Sequence, residues 1–465
     1  MTYGLKKMNS DFVKLLGEQL PEEEVAALLE ALVEAPQPTS IRLNPHKPHP
    51  APEGREVAWC RWGRYLSERP SFTRDGHFQA GGYYVQEASS MFVGHLLEQA
   101  LAGEVPEGIR LLDMCAAPGG KSTLYSSIVG TKGTVVANEV IRQRALTLSD
   151  NIQRWGVGNT VVTSNDPEHF ASSLPEWFDV VAVDVPCSGE GMFRKSEEAR
   201  DNWSLENVRL CAARGRRIMA EAWESLREGG IFIYSTCTFN REENEENMEW
   251  LCSQMECEHI DIECPEEWNI TRTKAGVAEC FHFYPHKTEG EGLFAAIVLK
   301  GGSATSTRRK APKARKSPFA EVDRKTLKTS GLENFLVAGE GKFHFAAIGE
   351  SIYAYPEAHW EDVRTISEQM SVLFSGVRMG ELFGKKFKPD HSLALSAWLN
   401  PEAFPTTELT EEDLLHYLRR EELGCVAELK EGINLLLWEG QPVGFTKRVG
   451  ARTNSLLPKE LRIFI

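Results

Sequence analysis

One stretch of the sequence, LLDMCAAPGGKST at residues 111–123, constrains the fold of this chain more than any other. A short apolar run leads through Asp113 into a loop of small residues, and a helix-compatible segment follows the loop. A strand, a glycine-rich turn and a helix in this order let a nucleotide-like ligand lie against backbone amides at a helix N-terminus. Small residues are required there because a Cβ atom would hold the ligand away from those amides.

Three kinds of ligand suit such a loop. A Walker A phosphate loop requires a glycine where this chain has Cys115, and a dinucleotide loop requires a Gly-x-Gly-x-x-Gly motif that the chain lacks. S-adenosylmethionine requires close backbone approach and a carboxylate for its ribose, but no anion cradle. Glu139 ends the next apolar run, nineteen residues after Gly120, where a doubly wound sheet places a ribose-binding acid. A solvated strand-end carboxylate is the alternative, and the loop upstream favours the ribose.

The composition is that of a globular protein with more than one domain. The chain has 465 residues, 42% of them hydrophobic and 26% charged. No apolar run approaches the roughly 18 residues of a membrane span, and the first residues lack an apolar signal core. Ten scattered cysteines do not suggest a disulfide framework, so we expect a reducing cytoplasm. The net charge of −15 argues against indiscriminate DNA coating but leaves room for a local basic surface that binds RNA.

The chain divides into an N-terminal region, a central domain, a basic linker and a C-terminal domain. We expect one or two helices before residue 35, a strand at residues 40–44, and a helix at 86–97 leading into the central domain. The aromatic residues between 57 and 85 suit either a small core or base stacking. The expected boundaries are 1–80 for an α+β RNA-binding region, 81–300 for the central domain, 301–318 for the linker and 319–465 for the last domain.

The central domain alternates strands and helices, which predicts an α/β fold with a parallel sheet covered on both faces. The predicted strands are 109–114, 134–138, 160–163, 178–184 and 230–235, with a late, antiparallel strand at 293–299. The predicted helices are 121–129, 141–155, 205–227 and 241–255. The linker carries six basic residues between 308 and 316, and reads as a tether or a phosphate-binding arm. A hairpin turning near Gly440 is expected in the last domain.

Two cysteines follow predicted strands of the central sheet. Cys187 comes after FDVVAV and Cys237 after GIFIY. Because ligands of open α/β sheets bind beyond the carboxyl ends of the strands, both thiols are expected to face the cofactor loop. Asn240 and Glu243 would cap a helix beginning at Arg241, and a nearby helix N-terminus favours a thiolate. A single buried cysteine commonly serves only in packing. Two cysteines in turns beside a methyl-donor site favour a catalytic role for the thiols.

Zinc binding is the other use considered for cysteine in this chain. Cysteines and histidines are dense between residues 252 and 286, but no Cys-x-x-Cys pair occurs among them. We therefore expect no metal site.

A thiolate beside a methyl donor suits methylation of a pyrimidine at carbon 5. Thiolate addition at carbon 6 makes carbon 5 nucleophilic, and the thiolate leaves after methyl transfer and proton loss. An acid near ring nitrogen 3 would stabilise the displaced charge, and Asp184 is the candidate. The target base must leave its stack to be reached, which favours loops or partly unfolded RNA. The residues alone leave open which cysteine is the nucleophile.

The motifs resemble those of the Sun/nucleolar-protein family of RNA cytosine-5 methyltransferases. The resemblance rests on DMCAAPGGKST, Glu139, Asp166, DVPCSGEG and STCTFNREENE, and it extends over roughly residues 80 to 300. SIRLN and YYVQEASSM also resemble the N-terminal region of that family. The linker and the last domain resemble a branch that acts on bacterial small-subunit ribosomal RNA and carries a PUA-like RNA-binding domain. The resemblance implies a Rossmann-like methyltransferase domain that uses S-adenosylmethionine.

The resemblance also implies a role for each site residue. Glu139 would bind the ribose and Asp166 the adenine edge, Cys237 would be the nucleophile, and Cys187 would assist product release. The cofactor loop and the strand-end acids would complete the cofactor site: Cys115, Ala116, Ala117, Pro118, Gly119, Gly120, Lys121 and Asp184. We expect ribosomal RNA as the partner, free or in a ribosomal particle, and no membrane. The alternatives are a transfer RNA methyltransferase and a non-catalytic ribosome assembly factor.

Overall fold

The computed structural model describes residues 8–47, 54–302, 315–337, 342–384 and 386–464. The N-terminal region has the expected helices and a small antiparallel sheet. Its elements are α1 (Ser10–Gly17), α2 (Glu22–Val33), β1 (Thr39–Leu43), β2 (Arg55–Val57), β3 (Cys60–Leu66), α3 (Gly76–Gln79) and β4 (Tyr83–Val85). The strand order is β2-β3-β1-β4. The apolar faces of α1 and α2 pack on Phe193 and Phe239, so the N-terminal region covers loops of the central domain.

The central domain contributes most of one large sheet. Its elements are α4 (Phe92–Ala100), β5 (Ile109–Asp113), α5 (Gly120–Val129), β6 (Gly133–Asn138), α6 (Arg142–Trp155), β7 (Thr160–Thr163), α7 (Pro167–Ser173), β8 (Phe178–Asp184), α8 (Glu197–Asp201), α9 (Leu205–Ser225), β9 (Leu226–Thr236), α10 (Glu245–Gln254), β10 (Cys257–Glu258), β11 (Thr271–Ala275), β12 (Ala278–Phe283) and β13 (Leu293–Lys300). Strands β5 to β9 pair in parallel, and β13 pairs antiparallel with β9, as predicted.

Two predicted helices begin later than the sequence pattern indicated. The helix predicted from residue 86 begins at Phe92, after a short 3-10 turn. The helix predicted from Arg241 begins at Glu245. The first half of the predicted capping box forms, since the backbone N–H of Glu243 donates to Asn240 Oδ1 at 2.9 Å. The second half is wrong because Glu243 accepts the N–H of Ser188 instead.

The large sheet is apolar on both faces. Leu112, Val181 and Phe232 pack into a core on one face, and Leu111 and Val180 face a second core on the other. Such near-continuous apolar strands are typical of parallel sheets covered on both sides. Because β5 lies between β6 and β8, the strand order reverses beside it, which places a ligand crevice at the carboxyl end of β5.

The C-terminal residues form two more sheets and also extend the large one. Their elements are β14 (Ala320–Glu321), α11 (Arg324–Ser330), β15 (Phe343–Ile348), β16 (Ser351–Pro356), α12 (Trp360–Gln369), β17 (Val372–Ser375), β18 (Val377–Phe383), β19 (Lys386–Pro389), α13 (His391–Ala394), β20 (Thr406–Glu408), α14 (Glu411–Leu418), β21 (Gly432–Trp438), β22 (Gln441–Val449) and β23 (Arg452–Ser455). The predicted hairpin is β21–β22, which turns at Gly440 with φ +77°.

Strand β17 pairs antiparallel with β7 at the edge of the large sheet. The sheet order is therefore β11-β12-β13-β9-β8-β5-β6-β7-β17, which the sequence did not predict. Most of the predicted basic linker, residues 303–314, lies outside the described residues. All ten cysteines are free thiols. No helix in the described part of the chain combines the length and the apolar character that a bilayer crossing requires.

Candidate active site

The cofactor loop joins β5 to α5 at the carboxyl edge of the sheet. Gly119 has φ +116°, a conformation that favours glycine, and a Cβ there would lie 3.1 Å from Leu148. Ser122 Oγ donates to Asp113 Oδ2 at 2.6 Å, which ties the first turn of α5 to the end of β5. A cavity opens beside the loop, lined by Tyr84, Val85, Gln86, Glu87, Ser90, Asp113, Cys115, Ala116, Ala117, Pro118, Gly120, Lys121 and Asp184.

Asp113 is buried at the base of this cavity. Burial raises its pKa from an ordinary 3.8 to about 7, and the negative charges of Asp184 and Glu139 act in the same direction. The hydrogen bond from Ser122 opposes this shift. Burial also raises the pKa of the Cys115 thiol far above its usual range. Cys115 therefore remains a neutral wall residue, not a competing nucleophile.

Lys121 and Asp184 form an ion pair across the cavity, with Nζ and Oδ2 2.8 Å apart. Burial alone would lower the pKa of Lys121, but the attraction and hydrogen bond of Asp184 raise it, with Cys237 and Asp113 adding to this effect. Asp184 Oδ1 accepts a second hydrogen bond from Ser235 at 2.8 Å. The lysine is thus held as a cation near Cys237.

The two predicted cysteines meet, since their Sγ atoms are 3.1 Å apart. Each follows its strand as predicted, Cys187 after β8 and Cys237 after β9, and both are partly exposed. The hydrogen bond with Cys237, followed by burial, raises the pKa of the Cys187 thiol well above its ordinary value. Cys187 therefore keeps its proton, and the geometry lets it donate to a Cys237 thiolate.

A group of buried polar residues, which we call the carboxylate clasp, joins the two cysteine loops. It consists of Glu190, from the Cys187 loop, and Asn240 and Glu243, from the Cys237 loop. Glu190 Oε2 accepts the backbone N–H of Phe239 at 2.6 Å and of Asn240 at 3.2 Å. In return, Glu243 Oε2 accepts the N–H of Ser188 at 2.9 Å. Asn240 Nδ2 donates to both carboxylates at 2.8 Å. Each loop therefore fixes the backbone of the other.

Three predicted cofactor residues, Gly119 of the loop itself and the acids Glu139 and Asp166, lie outside the lining of this cavity. Glu139 follows β6 and is buried, with Oε1 accepting the N–H of Ile141 and Oε2 lying 3.3 Å from Arg144. Asp166 precedes α7, is exposed, and makes no capping hydrogen bond. Both acids stand at carboxyl ends of neighbouring strands, as the sequence predicted, but their roles as ribose and adenine ligands stay predictions.

Sequence reasoning missed Arg42. This fully buried residue donates to Gln86 Oε1 at 2.7 Å, to Gly120 O at 3.2 Å and to Thr123 Oγ1 at 2.6 Å. Its guanidinium also lies over the ring of Trp155, and burial lowers its pKa to about 10. Arg42 thus joins the N-terminal sheet to the cofactor loop. The only sequence signal is a charged residue inside the short predicted strand SIRLN.

One group of possible metal ligands exists among the described residues, formed by His259, Asp261 and Glu279, whose ligand atoms lie within 4.8 Å of one another. His259 and Asp261 are exposed, and Glu279 is already bound by Arg272. Of the cysteines and histidines between residues 252 and 286 that were considered for zinc, this group includes only His259.

The crevice and the glycine turn, together with the family models that match the chain, define the class of the protein. It is a Rossmann-like methyltransferase that uses S-adenosylmethionine. A family model described as 16S rRNA methyltransferase RsmB/F matches residues 100–299. Models of the N-terminal domain of 16S rRNA methyltransferase RsmF and of the RsmF PUA domain match residues 8–88 and 404–463.

Similar whole proteins agree with these models. The chain is 31% identical to ribosomal RNA small subunit methyltransferase F of Pectobacterium atrosepticum, over 93% of this chain and 87% of the relative. It is also 31% identical to the protein of that name from Klebsiella pneumoniae, over 87% of this chain and 84% of the relative. The chain therefore belongs to the RsmB/F family of methyltransferases.

A solved structure supports the fold. A methyltransferase homologue from Pyrococcus horikoshii is 26% identical, with a TM-score of 0.54, over 64% of this chain and 97% of that one. A structure described as NSun6 from the same organism with SFG has a TM-score of 0.51 at 20% identity. The second similarity bears on the fold alone.

Proposed function

We propose that this protein is an S-adenosylmethionine-dependent RNA cytosine-5 methyltransferase that acts on small-subunit ribosomal RNA in the cytoplasm. The observation that carries the proposal is the pair of thiols, 3.1 Å apart, beside the cofactor cavity. The names of the relatives, which specify ribosomal RNA of the small subunit, support the substrate. The proposed reaction requires no metal ion, because a thiolate supplies the activation.

The residues of the cavity fit the cofactor. Bare backbone and small side chains from Cys115 to Gly120 allow close approach, while the only lysine of the loop is already paired with Asp184. Together with Glu139 and Asp166, these residues would hold S-adenosylmethionine. When bound, it supplies an electrophilic methyl group. The four-part division of the chain, with RNA-binding regions at both ends, belongs to the same proposal.

Cys237 is proposed as the nucleophile and Cys187 as the residue that assists release. The Cys237 sulfur forms a bond to carbon 6 of the cytosine, and the ring electrons shift toward nitrogen 3. The Lys121–Asp184 pair would stabilise that charge. After carbon 5 takes the methyl group, a base removes the carbon-5 proton and the electrons of that C–H bond re-form the double bond between carbons 5 and 6. The carbon–sulfur bond then breaks and Cys237 leaves as the thiolate. In the resting pair the hydrogen bond with Cys237 raises the pKa of Cys187, and a protonated Cys187 would hydrogen-bond the departing thiolate.

The decisive test is transfer of labelled methyl groups to unmodified total RNA, with Cys237→Ala and Cys187→Ala compared with wild type. We expect label in 5-methylcytidine of small-subunit ribosomal RNA, no turnover with Cys237→Ala, and a covalent protein–RNA adduct that survives denaturant with Cys187→Ala. Each variant serves as the control for the other, because both remove one thiol from the same pair.

Several results would change the proposal. Normal turnover of Cys237→Ala would remove it as the nucleophile, and a normal rate without adduct would remove Cys187 from the mechanism. Label in transfer RNA would keep the chemistry and change the substrate. If naked RNA is not methylated, ribosomal particles are the next substrate, and failure there would indicate a non-catalytic assembly factor.

A further inference from the structure

A second cavity, which we call the basic cleft, opens between the N-terminal region and the segment that joins β12 to β13. Its volume is about 930 Å³. The side chains that matter here are Arg55, Arg69, Arg194, His286 and Lys287. The cleft is separate from the cofactor cavity, with which it shares no lining residue.

The lining of the basic cleft carries four cations and a single acid, Glu289, although the whole chain has a net charge of −15. Arg55 is paired with Glu289, and Lys287 lies 2.6 Å from Glu24. Arg69 forms no ion pair with any described residue. The Nε of Arg194 finds no hydrogen-bond partner among them, although the charge of Arg194 acts on the nearby carboxyl of Glu291 and opposes the rise in its pKa. The cations of the lining outnumber its acid, and such a concave surface attracts a negatively charged ligand.

His286 indicates that a ligand of the basic cleft has polar groups as well as negative charge. Its side chain is only 8% exposed, and within the described residues neither ring nitrogen has a hydrogen-bond partner. Glu24 Oε2 lies 3.8 Å from Nε2, beyond hydrogen-bond reach. Burial lowers the pKa of His286, so the neutral ring offers one donor and one acceptor. Buried polar atoms without partners are rare in folded proteins, and a ligand with hydroxyl or amide groups would satisfy them.

The basic cleft reaches the segment that contacts the candidate nucleophile. Gly191 donates its N–H to the carbonyl oxygen of Cys237 at 2.7 Å. A Cβ on Gly191 would lie 3.1 Å from the carbonyl oxygen of Glu291. Arg194 and Gly290, which line the cleft, lie within three residues of these two positions. Three residues of chain span at most about 10 Å, so a strand in the cleft passes close to the cysteines.

We infer that the basic cleft binds the phosphates of the single-stranded RNA segment that adjoins the target cytidine. This inference rests on the proposed function. When the target base leaves its stack to reach Cys237, the protein must still bind the sugar-phosphate backbone of the adjoining nucleotides. Arg69 and Arg194 bind phosphates, and the ring of His286 hydrogen-bonds a ribose hydroxyl or a base edge. The ligand is RNA because the basic cleft combines cations, which bind phosphates, with the ring of His286, which can hydrogen-bond a sugar or a base. The cleft also lies close in the chain to the loop that contacts Cys237.

The test measures binding of a poly-uridine RNA strand, which contains no cytosine, as a function of salt concentration. Removing both arginines in Arg69→Ala/Arg194→Ala should reduce the slope of log affinity against log salt by about 1.4, since each single-strand phosphate contact contributes about 0.7. At low salt the affinity should fall about tenfold. Arg69→Lys/Arg194→Lys should restore the slope, because lysine keeps the charge.

Arg61→Ala is the matched control, because Arg61 lies on β3, which borders the basic cleft, but lines a different cavity. Its salt slope should equal that of wild type. An unchanged slope in the double alanine variant, or an equal loss in Arg61→Ala, would overturn the inference. Methyl transfer is measured in parallel. If the wild-type protein binds poly-uridine through these arginines but methylates no RNA, the inference about the basic cleft stands and the proposed function is refuted.

Discussion

Asp113, at the start of the cofactor loop, makes the stability of the folded protein depend on pH. It is 1% exposed and has one hydrogen-bond donor, Ser122. Because burial raises its pKa to about 7, the folded protein retains a proton that the unfolded chain loses near pH 3.8. The unfolded state is therefore favoured progressively as the pH rises between these two values, and the effect is constant above pH 7.

Asp113→Asn should remove this pH dependence. Asparagine keeps an oxygen that accepts the hydroxyl of Ser122 but never ionises. The stability of the variant relative to wild type should increase from pH 4 to pH 7.5, by at most about 4 kcal/mol. Thermal unfolding at several pH values measures the difference. A difference that stays constant over this range would show that Asp113 is not the titrating group.

The carboxylate clasp works at the scale of secondary-structure elements. Strands β8 and β9 are neighbours, and the loops that follow them are joined by a backbone hydrogen bond from Gly191 N–H to the carbonyl oxygen of Cys237. Glu190 strengthens this connection, since it is fully buried and accepts two backbone N–H groups of the opposite loop. The distance between the two thiols thus depends on residues that touch neither sulfur.

Glu190→Gln should separate the two cysteine loops. Every present partner of the Glu190 carboxylate is a donor, for example Trp203 Nε1, which lies 3.1 Å from Oε1. The NH₂ group of a glutamine is also a donor, so it would leave at least one of these hydrogen bonds unmade. We expect a loss of about 2–4 kcal/mol in stability and a loss of the elevated pKa of Cys187. The pH dependence of alkylation of this thiol checks the second effect. Glu246→Gln, on the exposed face of α10, is the control and should change stability by less than about 0.5 kcal/mol.

The sequence predicted the elements whose signal is local. Strands β5 to β9 fall where apolar runs occur, and both cysteines stand where those strands end. The start of α10 was misplaced because Asn240 and Glu243 resemble a capping box, whereas tertiary contacts with Ser188 and Glu190 use the same side chains. Arg42 was missed because its partners, Gln86 and Thr123, are distant along the chain, and no local pattern records such contacts.

At the scale of the molecule, the C-terminal residues form part of the methyltransferase core. Strand β17 carries Phe374, which packs with Ala116 and Ala117 of the cofactor loop and with Leu148 of α6. The sequence VLFS is too short to indicate a partner two hundred residues away. The pairing with β7 is therefore visible in the structure and not in the pattern.

Phe374→Ala should weaken both stability and cofactor binding. Truncating a buried phenylalanine typically costs about 3–5 kcal/mol, and the cavity would lie directly behind the cofactor loop. Calorimetry with S-adenosylmethionine and thermal unfolding measure the two effects. Ile348→Ala, at a 40% exposed position, is the control and should change neither. Unaltered cofactor affinity in Phe374→Ala would show that the loop holds its shape without this support.

The pairing of β17 with β7 has a consequence for biosynthesis. Residues 109–163 leave the ribosome well before residues 372–375, so the nascent sheet waits with β7 as an open edge while the linker and much of the C-terminal region are made. An exposed edge strand can pair with another chain, and N-terminal domains usually fold first during synthesis. The catalytic crevice of this protein is therefore completed late in translation, and a prematurely terminated chain would carry the motif without its supporting strand.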